Sequence, residues 1–451
     1  MATERIASWA VDLSYASLPP EVIQAAVNSF YNWVGCALGG AKHPTTTIAC
    51  EALAPFFGKP TSTLLGHKGA AGERALTDAS HAALINGIAS HVHDYDDTHL
   101  ATIIHPTGPV ASALLAQAEA LGGVKGEDFI VALVAGIEAQ CKLGLGVWPK
   151  HYDIGWHITS TVGSIGAAVA VGKLMRLQRT PMQHAISIAA TQVTGLREMF
   201  GSDTKSFHVG RAAQNGLLAA VLAARGYTGS LQAIEAPRGW ARVVSVSNDV
   251  DGQVATLGQV WEIAANAFKP FPCGIVVHPI IDACIQLHHE MADAGFTATD
   301  IARVHARVHP LVLELTGKKT PQDGLQAKFS VYHGGAVGLV LGKAGPAQYD
   351  DSVVLRAEII QLRDKISATA DETLGADETE VTVNLGDGTT MKKHIQHAVG
   401  SLEVPMTTAQ LEDKFIDQVS PVLGLQGAMR ASKACRAIQD AKSVTELVKE
   451  I

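Results

Sequence analysis

The first 265 residues limit the fold most strongly, because they show a helical hydrophobic period almost throughout and no strand-period run of any length. Pro20 stands where the first turn of a helix tolerates proline, and that helix is predicted to end at Gly39-Gly40. Further helices are predicted at residues 74–91, 109–121, 127–144, 159–176, 181–196 and 208–225. Gly or Pro separates most of them. This part of the chain therefore predicts an α-helical domain.

The pattern changes near "FKPFPCGIVVHP", residues 268–279. A helix around 279–294 is followed by a stretch in which Val304, Ala306 and Val308 alternate with polar residues, as in a half-exposed strand. "EVTVNLGDGTTMKKHI", from Glu380, alternates as well, and its "GDG" indicates a hairpin turn.

Helical segments at 326–342 and 351–367 lie between these strands, and the chain returns to helix in its tail. We therefore predict a mainly α fold with two domains. Residues 1–268 and 401–451 form a large all-helical domain built from both chain ends, and residues 269–400 form a smaller α+β lid domain.

Composition excludes some classes of partner. Net charge is −8 and no Lys/Arg-rich run occurs, which argues against nucleic acid or an anionic membrane as the main partner. The most apolar window, from Ile165, is interrupted by Lys173 well short of the roughly 20 residues of a membrane span. The six cysteines are scattered without a CxxC pair, and the N-terminus has no signal pattern. We expect free thiols in the cytoplasm, or in the mitochondrion of a eukaryote.

The stretch "HVHDYDDTHLATIIHPTG", residues 91–108, holds four histidines and three aspartates. A metal site is one interpretation, although Tyr95 stands where an HxHxDH metal motif needs aspartate. A solvated turn between helices is another. Three close carboxylates repel one another unless cations compensate, a situation common at catalytic sites. Pro109 places His105 and Thr107 near a helix N-terminus, which favours an anion.

Three more polar islands interrupt apolar sequence. His157 precedes a helix, and Lys205 and His208 are spaced for one helix face together with Arg211. Lys269 and His278 share a proline-constrained loop. Each island alone has an ordinary explanation as a cap, a solvated basic face or a domain-crossing loop. Together they form a set suited to proton transfer beside a polycarboxylate.

The blocks "GIASHVHDYDDTH", "GWHITSTVGSIGAA", "TKSFHVGRAAQNG", "KPFPCGIVVHPIIDA" and "RVHPLVLELTG" resemble the successive motifs of the MmgE/PrpD family. The resemblance covers nearly the whole chain in order. It implies the helical domain and α+β lid described above, a homodimer, and activity without a metal or an organic cofactor.

Carried over by motif, the resemblance implies two sets of site residues. The catalytic set is Asp94, His105, His157, Lys205 and Lys269. The substrate-binding set is Thr98, His208, His278, Tyr332 and His333. Two positions depart from the family pattern: His333 takes the place of a tyrosine, and Cys273 is followed by Gly274 where many relatives have arginine.

The resemblance implies a lyase that moves a proton next to a carboxylate of a small di- or tricarboxylate. His157 and His105 are the expected acid/base pair, Lys205 and Lys269 hold carboxylates, and Asp94 orients a histidine or transfers a proton. The predicted reaction is dehydration of a 2-methylcitrate-like acid. Decarboxylation of cis-aconitate and epimerisation of iminodisuccinate are alternatives. A non-catalytic carboxylate-binding dimer and a metal-dependent hydrolase are alternatives of other classes.

Overall fold

The computed structural model describes residues 1–69 and 71–451. Its contacts divide the chain into two compact units. The helical unit comprises Met1–Val92, Asp96–Ala267 and Leu411–Ile451, and the α+β unit comprises His93–Tyr95 and Phe268–Gln410. The predicted mainly helical fold is confirmed. Residues 93–95 and 401–410 group with the α+β unit, whereas the prediction placed them in the helical one.

The helices of the described residues are, in chain order, α1 (Ala2–Asp12), α2 (Pro20–Gly40), α3 (Pro44–Leu53), α4 (Ala79–His91), α5 (Thr107–Leu121), α6 (Gly126–Val147), α7 (Lys150–Ile154), α8 (Ile158–Leu174), α9 (Arg179–Ala190), α10 (Thr204–Ala224), α11 (Trp240–Val244), α12 (Val250–Val254), α13 (His278–Asp293), α14 (Pro310–Thr316), α15 (Gly324–Ala327), α16 (Val331–Leu341), α17 (Asp351–Val354), α18 (Ala357–Lys365), α19 (Thr408–Arg436, interrupted at Gly424) and α20 (Val444–Val448).

The strands are β1 (Ser62–Lys68), β2 (Arg74–Thr77), β3 (Asp97–His99), β4 (Asn266–Phe268), β5 (Ile301–Val308), β6 (Ile366–Ala370), β7 (Thr379–Leu385) and β8 (Thr390–Ile395). β1 and β2 form an antiparallel pair, and β3 pairs with β4. The remaining strands form one sheet in the order β6-β5-β7-β8, in which only the β5–β6 pair is parallel.

The core of the helical unit is built around α5, α6 and α8. Every residue of α8 except Lys173 is buried, because its alanines, glycines and valines allow neighbouring helices to approach from all sides. α6 has the length and mean hydropathy of a membrane span, but 94% of its most apolar window is buried inside the protein. That burial is typical of a core helix.

Helices α4 and α10 meet at backbone distance. A Cβ atom added to Gly87 of α4 would lie 2.6 Å from the Cα of Gly210, and one added to Gly210 would lie 2.2 Å from the carbonyl oxygen of Leu84. Only glycine fits at this crossing. α10 also packs against α8 and α5, so the ends of these four helices are held in one rigid arrangement.

In the α+β unit, α13 and α16 cover one face of the sheet. β7 alternates buried and half-buried residues along its whole length, which is the pattern predicted from "EVTVNL". The predicted hairpin is confirmed, since β7 and β8 pair in antiparallel register across the turn at 386–389. The half-exposed strand predicted near Val304 is confirmed as β5.

The secondary-structure prediction is wrong at three places. The segment predicted as helix from residue 74 contains strand β2, and the helix begins only at Ala79, where the Asp78 carboxylate caps it by accepting from the His81 N–H at 3.1 Å. β1 was missed because its first four residues are buried consecutively, which removes the period-two signal. β6 was missed because the segment predicted as helix over 351–367 ends at Lys365.

Candidate active site

Four histidines and a lysine of the helical unit stand at helix ends. His105 lies two residues before α5, His157 immediately precedes α8, and Lys205 occupies the first turn of α10 with His208 one turn later. His91 is the last residue of α4. The free N–H groups and the dipole at each helix N-terminus attract anions and disfavour extra positive charge. The arrangement therefore favours a negatively charged ligand.

His157 and His208 form a hydrogen-bonded pair. Their Nδ1 atoms are 3.0 Å apart, so one ring donates and the other accepts. Burial, reinforced by the charges of neighbouring histidines and Lys205, holds the pKa of His157 well below its usual value. Burial, with the charges of His91 and Lys205, lowers the pKa of His208 to about 4. Both rings are therefore neutral near pH 7, and His157 is left with Nε2 for proton exchange.

His105 is held in a defined tautomer. Its Nδ1 lies 2.8 Å from the carbonyl oxygen of Asp97, which can only accept, so Nδ1 carries the proton. Thr98 Oγ1 lies 3.3 Å from the same nitrogen, and the His105 backbone N–H donates to Thr159 Oγ1 at 3.1 Å. Ile103, two residues earlier, has a positive φ of 58°, a strained conformation for a β-branched residue.

The carboxylate that contacts these histidines is Asp96. Its Oδ2 accepts from His91 Nδ1 at 2.7 Å, and its Oδ1 lies 3.7 Å from His105 Nδ1. The ring centroids of His91 and His105 are 4.8 Å apart, and those of His91 and His157 are 6.2 Å apart. The family resemblance implied that Asp94 orients a histidine or transfers a proton, and neither His91 nor Asp96 was among the predicted site residues. Their spacing of five residues matches neither a helix face nor a strand face, so only the fold reveals the pair.

Asp97 lies behind this cluster and is completely buried. Burial, together with the charge of Asp96, raises its pKa to about 6 against the hydrogen bonds that lower it. Thr107 Oγ1 and Asn266 Nδ2 both donate to its Oδ2. These bonds tie β3 to the start of α5 and to β4, which fixes the loop that carries His105.

The α+β unit contains its own ion pair. Lys269 Nζ lies 2.7 Å from Asp94 Oδ1 and 3.2 Å from the Asp94 carbonyl oxygen. Lys328 Nζ donates to the carbonyl oxygen of His93 at 2.8 Å. Asp94 has a positive φ of 52°. Two lysines thus contact a left-handed turn. The structure brings the predicted residues Asp94 and Lys269 together, and Lys328 was not among the predicted site residues.

The other predicted residues of the α+β unit have ordinary packing contacts. His278 opens α13 and packs edge-on against Phe271, with ring centroids 5.5 Å apart. His333 is fully buried and its Nε2 lies 3.0 Å from the Gln348 carbonyl oxygen. Burial lowers the pKa of His333 to about 4. Tyr332 is half-buried.

Among residues 1–69 and 71–451, two groups of side chains have the donor types of a metal site. The candidate ligand atoms of His91, Asp96 and His105 all lie within 4.8 Å of one another, and so do those of Asp377, His397 and Glu403 at the surface. In the first group the Nδ1 atoms are hydrogen-bond donors, so a cation would have to use the Nε2 atoms. The arrangement is that of a hydrogen-bonded acid/base cluster.

The neutral histidines at helix N-termini of the helical unit form an arrangement suited to moving a proton next to a bound anion. The chain belongs to the MmgE/PrpD family. The family's N-terminal domain matches residues 4–253 and its C-terminal domain matches residues 271–440.

Relatives with established names support a lyase-type enzyme. Cis-aconitate decarboxylase of Homo sapiens is 27% identical over 99% of this chain and 94% of its own length. Cis-aconitate decarboxylase of Aspergillus terreus is 25% identical over 92% of this chain and 88% of its own. The 2-methylcitrate dehydratase of Escherichia coli K12 is 26% identical, over 47% of this chain and 45% of its own length.

Proposed function

We propose that this chain is a decarboxylase of a small unsaturated tricarboxylate such as cis-aconitate. The observation that carries the proposal is the cluster of buried histidines at the N-termini of α5, α8 and α10. The decarboxylases named above align over 99% and 92% of this chain, and the dehydratase aligns over 47% of it. This ranking reverses that of the sequence analysis, which placed dehydration of 2-methylcitrate first.

Substrate carboxylates would be held by the positive end of the helices. The positive ends of the α8 and α10 dipoles attract an anion without the desolvation of a charged side chain. Lys205, half-buried with its Nζ 5.4 Å from the centre of the Phe200 ring, adds a positive charge in the first turn of α10. Thr98 presents a hydroxyl next to His105. We propose these groups as the carboxylate-binding set.

The proton steps fall to the imidazoles. When a carboxylate leaves as CO2, the electrons of the broken C–C bond move through the adjacent double bond toward a remaining carboxylate, and one proton must then be delivered to carbon. Lys205 and the helix N-termini stabilise the charge that develops. His157 and His105 each have Nδ1 engaged in a hydrogen bond, so Nε2 is the atom through which either ring exchanges a proton with the substrate or with a neighbouring side chain.

The test is proton NMR of the purified protein in D2O with cis-aconitate, 2-methylcitrate, citrate and substituted succinates. Loss of CO2 with one deuterium placed on carbon supports the proposal. Loss of water, or α-proton exchange with inversion, would instead assign the dehydratase or epimerase reaction and overturn it. Binding of cis-aconitate without conversion would favour a non-catalytic carboxylate-binding protein.

Variants separate the site from the rest of the fold. His157→Gln and His105→Gln are each expected to lower kcat roughly 100-fold or more, as loss of a general acid or base does. His151→Gln is the matched control, because His151 is also buried and contacts α8 through Thr161, 2.7 Å away. Its kcat near neutral pH is expected to stay close to that of the wild type. Lys269→Met tests the role that the family resemblance implies for Lys269.

A further inference from the structure

His91 and Asp96 form a buried pair with one unused nitrogen. The side chains of His91 and Asp96 are 0% and 1% exposed, and His91 Nδ1 lies 2.7 Å from Asp96 Oδ2. Since an ionised carboxylate only accepts, His91 donates from Nδ1. Its Nε2 is buried and has no hydrogen-bond partner among the residues that the structure describes.

An unpartnered buried nitrogen lowers stability, and a second hydrogen bond removes that cost in a purely structural histidine. His151 of the same unit shows the structural arrangement, since its two ring nitrogens bond to the Val244 carbonyl and to Thr161 Oγ1. His333 Nδ1 of the α+β unit is also buried without a partner among the described residues, so it is the location of His91 beside His105 and His157 that indicates a ligand for Nε2.

The ring of His91 lies among the histidines proposed above to handle the substrate. His91 lies 4.8 Å from His105 and 6.2 Å from His157, measured between ring centroids. His157 and His208 are held neutral by burial and by neighbouring positive charge. Of the rings of His91, His105, His157 and His208, that of His91 has a buried carboxylate at hydrogen-bond distance, and a carboxylate partner compensates the charge of an imidazolium.

We propose that His91 is a further catalytic residue, the acid that delivers the proton to the substrate carbon, and that Asp96 is its positioning residue. The inference rests on the proposed function. In the step, the N–H bond at Nε2 of the imidazolium breaks and its electrons stay on the ring. The C–H bond forms from the electrons left by CO2, and water then returns one proton to Nε2.

A matched pair on the same helix provides the control. His81 and Asp78 also join Nδ1 to Oδ2 at 2.7 Å, at the first turn of α4, but both are partly exposed. His91→Gln and Asp96→Asn are expected to lower kcat on cis-aconitate by roughly 10²–10⁴-fold with a small change in KM. His81→Gln and Asp78→Asn are expected to keep kcat within a few-fold of the wild type.

Chemical rescue separates a catalytic role from a structural one. Activity of His91→Gly is expected to rise with added imidazole, which fills the space and supplies the missing acid. A folded His91→Gln protein with wild-type kcat would overturn the inference, and so would a His91→Gly protein that is folded but unaffected by imidazole.

A spectroscopic measurement tests the pair without substrate. In protein labelled with ¹⁵N-histidine, the hydrogen bond between His91 and Asp96 predicts a strongly downfield resonance of the His91 Nδ1 proton. Asp96→Asn is expected to abolish this resonance, and Asp78→Asn is expected to leave it unchanged. The same resonance persisting in Asp96→Asn would overturn the role of Asp96. If the wild type converts none of the carboxylates, the proposed function fails while this measurement still reports on the pair.

Discussion

His151 allows a quantitative prediction of acid sensitivity. Burial lowers its pKa from 6.5 to about 4, against the opposing hydrogen bond to the Val244 carbonyl. The unfolded chain therefore binds this proton more readily than the folded one, and stability is lost as pH falls through the interval from 6.5 to about 4. The loss from this one group is about 2 kcal/mol at pH 5 and about 3 kcal/mol below pH 4.

The perturbation is His151→Gln, which cannot titrate. Near pH 7.5 it is expected to reduce the free energy of unfolding by about 1–2 kcal/mol, because the amide replaces the ring hydrogen bonds imperfectly. Between pH 7.5 and pH 5 the free energy of unfolding of the variant is expected to fall by about 2 kcal/mol less than that of the wild type. The two effects oppose each other, so the variant approaches the wild type in stability at the acidic pH.

The assay is urea unfolding followed by tryptophan fluorescence. The rings of Trp156 and Trp240 lie 6.1 Å and 6.0 Å from His151, so the signal reports on this region. Thr161→Val is the control, because it removes the partner of Nε2 but keeps the titrating ring. It is expected to lower stability and to retain the pH dependence. An equal acid loss in His151→Gln and the wild type would refute the reasoning.

Three further predictions concern the neighbourhood of the site. Asp97→Asn removes a carboxylate with a raised pKa, and such a group lowers the free energy of unfolding as pH rises from 3.8 to about 6. Between pH 4.5 and 7.5 the free energy of unfolding of the variant should therefore increase by about 2 kcal/mol relative to that of the wild type. Gly210→Ala forces a Cβ to 2.2 Å from the Leu84 carbonyl and should cost about 1–3 kcal/mol, measured as a lower Tm. Ile103→Gly relieves a positive φ and should raise Tm, while kcat falls if the strained loop positions His105.

The sequence predicted most helices because their hydrophobic period is long and regular. α5, α6, α8 and α10 were placed to within a few residues, since Gly and Pro mark their ends. β1 was invisible for the opposite reason, because both of its faces are covered over the first four residues. The contact between Gly87 and Gly210 joins positions that no local pattern relates.

For the site, polar residues in apolar sequence were a reliable signal of the helix ends. That signal selected His105, His157, Lys205 and His208, which the fold brings to the N-termini of three packed helices. It could not assign contacts between side chains. The left-handed backbone conformation of Asp94 places its carboxylate next to Lys269. The carboxylate that contacts His91 is instead that of Asp96.

The low pKa values of the resting histidines are compatible with acid catalysis if the ligand is a polycarboxylate. Holding His208 neutral with a pKa of about 4 corresponds to about 3 kcal/mol at most. One carboxylate placed 4 Å from an imidazole stabilises its cationic form by about 4 kcal/mol at an effective dielectric constant of 20. A single substrate charge is therefore enough to reverse the effect of burial. On this reasoning His157 and His208 remain neutral until an anion binds, and the bound anion then favours protonation of the rings beside it.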